Sequence, residues 1–569
     1  MDYHTTPSTA RYVTFTEQLK QSKTIPVGLW SVLLIGIFAW MPTMYPGYWQ
    51  TTEGFVPIFN LHAQTPLARI ATIPDVWQGM GNATFLLPKA FVMLGLTSVE
   101  AIRMMFAFCF IAGGVGMYMW VRTITSGYAA EDTEHHLSDR VAGLTGLIYM
   151  LLTPFLATVY VRGSLSDALI LGLLPIVFAG IARYAAIRTP SSAAIIILGI
   201  LWMWRTQAGL ALLATMLLLA YTLWVERHWL TTLIVAVSGI SGLVTLIPLG
   251  AIEALSNPSP SSSIRFEEHF VYFFQFFANG WVVAPSIAGW QDEYPFQLGM
   301  VIIAFGVIAT WLFVQQTPKS AFTKHSRAFL FCLTIGIILC GLALSPSQWL
   351  WEMTNADRLL TYPWQIILLA CPLLAMGAGS LSLFSPQLSK IPYWPVLILL
   401  TVFGSASYLT TEYTQVEPPT TPIALMGDNQ IAWLDVDITK NPPTQDVGAG
   451  EVHVDLTWQV LNPLAFDYNI FLQAVSISDD QAPNVVAQID IQPLGDERSA
   501  TTWRQGEILR VIYRLDLVNV NPDEIDVDTL QYYFGYYDWR DGQRLPVRTF
   551  GQPDVQSNVD DKLIFSGED

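Results

Sequence analysis

The hydrophobic pattern divides the chain in two. Up to about residue 411, long apolar runs recur between polar stretches, and a run of about 20 apolar residues is what a helix needs to cross a bilayer. Runs near 25–44, 99–121, 140–159, 165–184, 192–204, 206–225, 229–252, 298–316, 327–345, 364–384 and 391–411 predict about eleven transmembrane helices. The fifth run is short and is broken from the sixth by Arg205, so it reads as a half-helix or one leg of a tight hairpin. Beyond residue 412 the period drops to two, the mark of half-buried strands. IAWLDVDI (431–438), EVHVDLTWQV (451–460), YNIFLQAVSI (468–477), VVAQIDI (485–491), ILRVIYRLDL (508–517) and LQYYFGYYDW (530–539) alternate in this way, with turn-rich clusters between them. That spacing predicts a soluble all-β sandwich over 429–569, joined by a Pro-rich linker at 412–428.

Composition agrees. The 569 residues are 52% apolar, too many for an ordinary soluble protein. Charge is split along the same boundary. Residues 1–411 hold 19 Lys and Arg against 18 Asp and Glu, and residues 412–569 hold 9 against 27, which together make the net −17. An acidic C-terminal piece argues against nucleic acid as a partner and against anionic headgroups. With residues 1–24 in the cytoplasm, twelve Lys and Arg fall on cytoplasmic segments and seven on outer ones. That bias predicts a multi-pass plasma-membrane protein with its C-terminal β-domain extracytoplasmic. No small-residue cleavage site follows the first run, which therefore reads as a retained anchor. The cysteines, Cys109, Cys332, Cys340 and Cys371, all lie in apolar stretches, with neither metal nor disulfide spacing, and read as buried small hydrophobes.

The chemistry-bearing residues cluster in outer segments. Glu53 lies about ten residues past the first span, in PGYWQTTEGFVPIFNLH (46–62), within the outer loop 45–98. An acid held at a membrane surface is a candidate general base or metal ligand, the alternative being a solvated loop acid. Tyr45, Tyr48, Trp49, Phe55 and Phe59 around it fit a sugar-stacking surface or the interfacial aromatic belt. Asp75, in PDVWQGMGNATF (74–85), is a second carboxylate or a turn cap. YVRGSLSDALILGLLP (160–175) sets Tyr160, Arg162 and Asp167 at the outer junction of two spans. Arg162 fits a phosphate clamp or an ion pair with Asp167. Arg205 and Arg358 are further candidate phosphate ligands, with snorkelling to headgroups as the alternative. Glu267, Glu268 and His269 are a weak metal candidate, because adjacent residues rarely converge on one ion. P-loop, dinucleotide and hydrolase motifs are absent from the sequence.

Three segments together, the loop with Glu53 and PDVWQGMGNATF, the 160–175 stretch and RLLTYPWQIILLA (358–370), resemble the bacterial multi-span proteins labelled 6-pyruvoyl-tetrahydropterin synthase-related, which are similar to YfhO-like proteins and to the GT-C glycosyltransferase superfamily. The resemblance covers roughly 28–385. It implies a GT-C-like membrane domain over 25–411 that transfers sugar from a polyprenyl-phosphate donor to an acceptor on the outer face. Under it Glu53 is the base or metal ligand, supported by Asp75. Arg162, Arg358 and Arg205 hold the donor phosphate, and Asp167, Tyr160, Tyr48, Trp49 and Trp364 support the site. Tyr362, Pro363 and Trp364 match an aromatic-Pro-Trp element. The family more often has Asp where this chain has Glu53, and a His where it has Pro57. The expected partners are the bilayer, the lipid-linked sugar, and a glycan or protein acceptor at the β-domain; a divalent cation is a candidate cofactor. Two alternatives stand beside transfer: a catalytically inactive assembly or binding subunit, and a transporter or flippase.

Overall fold

The structure is a computed structural model and describes residues 26–62, 82–126, 132–247, 265–278, 280–316, 323–414, 417–427, 430–441, 450–462, 464–477, 483–495, 498–517, 529–550, 555–557 and 561–566. The chain forms two compact units. One comprises Met1–Trp49, Thr65–Val282 and Ser286–Glu412; the other comprises Gln50–Gln64, Val283–Pro285 and Tyr413–Asp569.

The first unit is helical. Its main helices are α1 (Val27–Leu34), α2 (Ser98–Thr125), α3 (Asp132–Met150), α4 (Leu165–Ile187), α5 (Pro190–Thr206), α6 (Ala208–Tyr221), α7 (Trp229–Val244), α8 (Met300–Gln316), α9 (Lys324–Leu342), α10 (Ile367–Gly379) and α11 (Tyr393–Ser405). Among the described residues six helical stretches are long and apolar enough to cross a membrane: Val27–Met44, Ser98–Thr125, Leu165–Ile187, Ala208–Glu226, Lys324–Leu342 and Pro363–Phe384. A seventh counts if His136–Met150 and Thr153–Arg162, bent by 41°, make one span. Pro154 sits at that bend; its ring bars a regular continuation of the preceding helix. Helices Pro190–Thr206, Trp229–Val244, Met300–Gln315 and Tyr393–Leu409 coincide with the other expected runs but are shorter. At 1.5 Å per residue each reaches only about 25 Å, less than the roughly 30 Å apolar core. The break expected at Arg205 falls two residues later: Arg205 lies in the last turn of α5, and Gln207 is the one extended residue between α5 and α6.

Small residues allow close helix packing at the centre. A Cβ on Gly116 of α2 would lie 2.7 Å from the Ile176 nitrogen of α4, and one on Gly172 would lie 3.0 Å from the Cys109 carbonyl. Such glycines let the backbones of neighbouring helices approach closely. The four cysteines are free and buried.

Among the described residues the second unit has ten antiparallel strands: β1 (Ala424–Met426), β2 (Ile431–Asn441), β3 (Gly450–Val460), β4 (Asn469–Ser476), β5 (Asn484–Ile491), β6 (Ile508–Leu517), β7 (Gln531–Tyr537), β8 (Val547–Thr549), β9 (Val555–Ser557) and β10 (Leu563–Ser566). Two five-stranded sheets run β6-β3-β2-β1-β8 and β5-β4-β7-β10-β9. One apolar cluster draws Trp433, Val454 and Trp458 from the first sheet and Ile470, Phe534 and Leu563 from the second. Each of the six alternating runs forms a strand. The remaining four strands are three or four residues long, too short to show a period, and β1 lies inside the expected linker.

Candidate functional site

In the helical unit, a π-helical turn over Thr158–Arg162 ends at Gly163, whose left-handed φ of 76° turns the chain into α4. This turn sets Arg162 opposite Asp167 in the first turn of α4, and the two form an ion pair. Asp167 is fully buried, while the Arg162 side chain is 13% exposed. A third residue, distant in sequence, completes the pair: Gln365 Nε2 donates to Asp167 Oδ2 at 3.2 Å. Gln365 also caps its own 3-10 turn by accepting from the Tyr362 amide at 3.1 Å.

That turn supplies an aromatic wall. Trp364 stacks on Tyr362 with ring centroids 5.2 Å apart and on Tyr294 at 4.7 Å. The Arg162 guanidinium carbon lies 5.3 Å from the Trp364 ring centre and 6.0 Å from that of Tyr362. Among the described residues neither Asp167 Oδ1 nor Trp364 Nε1 has a hydrogen-bond partner, although both atoms are buried. Buried polar atoms are normally bonded, and these two lie beside the Arg162 cation.

A polar chain flanks the wall. His269 meets Tyr362 edge to face at 5.1 Å, and its Nδ1 lies 2.9 Å from Ser286 Oγ. Ser286 Oγ donates to Asp292 Oδ2 at 2.6 Å. Burial pushes the Asp292 carboxyl up to about 6, against the lowering effect of its bonds from Ser286 and the Tyr294 and Ile287 amides. Burial also holds His269 below its ordinary value, while Glu268 acts in the opposite sense.

The other expected residues fall elsewhere. Tyr48, Trp49 and Tyr160 are buried together: Tyr48 stacks on Trp49 at 4.8 Å, and Trp49 meets Tyr160 edge-on at 6.0 Å. Trp49 Nε1 donates to the Val159 carbonyl at 2.9 Å, and the Tyr160 hydroxyl to the Ala39 carbonyl at 2.6 Å. Tyr48 and Trp49 therefore pack as core, with their rings covered by protein. Arg205 donates to the Thr245 carbonyl at 3.3 Å, where it caps the C-terminal end of α7. Arg358 ends a half-buried 3-10 turn; the adjoining Leu359 carbonyl comes so near α6 that a Cβ on Gly209 would lie 1.8 Å from it. Glu268 pairs with Arg265 at 3.4 Å. Among the described residues no group of three or more His, Cys, Asp or Glu is placed to hold a metal ion. Asp75 lies outside the described residues.

Glu53 belongs to the other unit, with the strands. It is half-buried in the turn that leads into the helix Val56–His62. Gln459 of β3 clasps this turn: its Oε1 accepts from the Phe55 amide at 3.2 Å, and its Nε2 donates to the Gly506 carbonyl at 3.1 Å. Gly54 has φ +50°, and the space for its Cβ is filled by Gln459; a Cβ on Gly506, φ +80°, would lie 2.3 Å from the Thr51 carbonyl. Phe55 and Phe59 are buried here.

Sequence reasoning missed Gln365, Ser286 and Gln459. A lone Gln or Ser carries no signal until the fold brings its partner. Set against known proteins, the chain matches no family model and no curated protein.

Proposed function

We propose that this chain is an integral membrane glycosyltransferase of the GT-C type, which moves a sugar from a polyprenyl-phosphate donor to an acceptor on the outer face of the membrane. In this reading the six long helices, the bent pair and the four shorter helices make up eleven spans, with the N-terminus cytoplasmic. The two sheets form an extracytoplasmic sandwich that engages a glycan or protein acceptor. One observation carries the reading: Arg162, Asp167, Tyr362 and Trp364, from the two separated segments 160–175 and 358–370, meet in one cluster. A guanidinium fits a phosphate. Glu53, with Asp75 in support, activates the acceptor hydroxyl.

The test is transfer from a labelled polyprenyl-phosphate sugar by the purified full-length protein. Glu53→Gln is expected to cut the rate by roughly 10²–10⁴-fold, the usual worth of a positioned proton acceptor. Full-rate transfer by that variant would sink the assignment.

A second reading has its own support. The charge of Arg162 is already matched by buried Asp167, which suits a catalytically inactive subunit that binds lipid-linked sugar. Arg162-dependent donor binding with no turnover under any condition favours it.

A further inference from the structure

Proton counting settles the direction of the chain that flanks the aromatic wall. An ionised carboxylate only accepts hydrogen bonds, so the single hydroxyl proton of Ser286 goes to Asp292. Ser286 Oγ then faces the imidazole with lone pairs alone, and its partner Nδ1 must carry the ring proton. In the neutral ring this leaves the lone pair on Nε2. Asp292 is held from further sides: Oδ1 accepts from the Tyr294 amide at 2.9 Å, the Ile287 amide also donates to the carboxyl, and its backbone carbonyl accepts from Gln275 Nε2 at 3.0 Å. The segment is fastened by the Gly289 amide to the Glu268 carbonyl at 2.8 Å and by the Val271 amide to the Ala343 carbonyl at 2.9 Å. Imidazole, hydroxyl and carboxylate are therefore a fixed array. Among the described residues no hydrogen bond engages Nε2.

We propose that His269 is a ligand-binding residue of the Arg162–Trp364 site, oriented by Ser286 and Asp292 so that Nε2 accepts a hydrogen bond from a hydroxyl of a bound sugar. The identity of the ligand rests on the proposed function, whereas the tautomer does not. Tyr362 joins the two polar groups, since its ring meets His269 on one side and carries the Arg162 guanidinium on another. The site thus holds a cation for phosphate and an acceptor for a hydroxyl.

The array also has a built-in reversal. Once Asp292 takes a proton it donates to Ser286, which then donates to Nδ1, and Nε2 becomes a donor. Asp292 takes that proton as pH falls through about 6. The neighbouring charged or titratable groups are Glu293 beside Asp292, Glu268 with its partner Arg265 beside His269, and Tyr362 with Arg162 across the ring.

Asp292→Asn tests the relay in the full-length protein. The Tyr294 amide keeps the amide oxygen on its own side, so the amide nitrogen faces Ser286 and imposes the reversed array at every pH. Nitrogen-15 histidine spectra should show an unprotonated Nε2 on His269 at pH 8 in the native chain and a protonated one in Asp292→Asn. Diethyl pyrocarbonate should acylate Nε2 of the native protein at least tenfold faster than that of the variant. Identical tautomers in the two proteins would overturn the relay. A polyprenyl-phosphate sugar should protect His269 from acylation. If that donor binds in an Arg162-dependent way yet leaves acylation unchanged, the ligand role of His269 is wrong while the proposed function stands. If the tautomers behave as stated and no donor binds, the relay stands and the proposed function fails.

Discussion

The Arg162 cluster and the Glu53 turn bury polar groups by opposite means. Around Arg162 the holding forces are charge and ring contacts: a buried carboxylate, a guanidinium over two rings, and one amide that links separated segments. Around Glu53 they are backbone contacts: two glycines with positive φ, and a buried glutamine that bonds main-chain groups on both sides. The difference teaches where each region is vulnerable. A charge pair is costly to break on one side only, because the survivor stays buried and uncompensated. A backbone clasp fails when a side chain is added or an amide removed, whatever its charge.

The largest expected effect follows from the charge pair. Asp167→Ala should lower unfolding stability by about 3–5 kcal/mol in denaturant titration, while Arg162→Met combined with Asp167→Leu should cost far less. Equal losses from the single and double variants would mean that charge compensation is not what holds the cluster. Next comes the clasp. Gly506→Ala should cost about 1–3 kcal/mol from the left-handed backbone alone, with the Thr51 carbonyl standing where the new methyl must go. Gln459→Ala should cost about 0.5–1.5 kcal/mol for each hydrogen bond lost, with faster deuterium exchange at the Phe55 amide as the local readout. An unchanged Phe55 amide would show that the turn is held without Gln459.

The smallest effect separates the two means within the strand unit itself. Burial alone would raise the Glu507 carboxyl, but bonds from Arg498 and from the Arg504 amide, with the charges of both arginines, bring it below its usual range. A depressed folded value means that the stabilisation is present above the unfolded value of about 4.3 and is lost as pH falls through the folded one. Acid unfolding of the strand unit should therefore depend on pH less steeply in Arg498→Ala. The pair is partly exposed, so the change is small.

Sequence reading served best where a pattern is long. The six strands of seven or more residues and the six long apolar helices announce themselves, because a period or a run needs length to register. It served less well for β1, β8, β9 and β10, each three or four residues long, and for the bend at Pro154 inside one continuous apolar run. The ion pair of Arg162 with Asp167 was one of two open alternatives, since five residues of separation across a helix start permit contact without requiring it. Tyr48 and Trp49 looked like surface aromatics, and their burial depended on Tyr160 and Phe106 arriving from other helices.

From the sequence alone came the long apolar runs between residues 25 and 411, the acidic strand region after them, and the residue types that carry chemistry. These depend on local composition and period, which one stretch of chain contains in full. The tertiary structure decided which of those residues meet. It joined Gln365 to Asp167 across 198 positions of chain, set His269 against Tyr362, and put the Glu53 turn in the same unit as the strands through a glutamine 404 positions from Phe55. Such pairings arise from packing, which brings together side chains whose partners no local pattern can name.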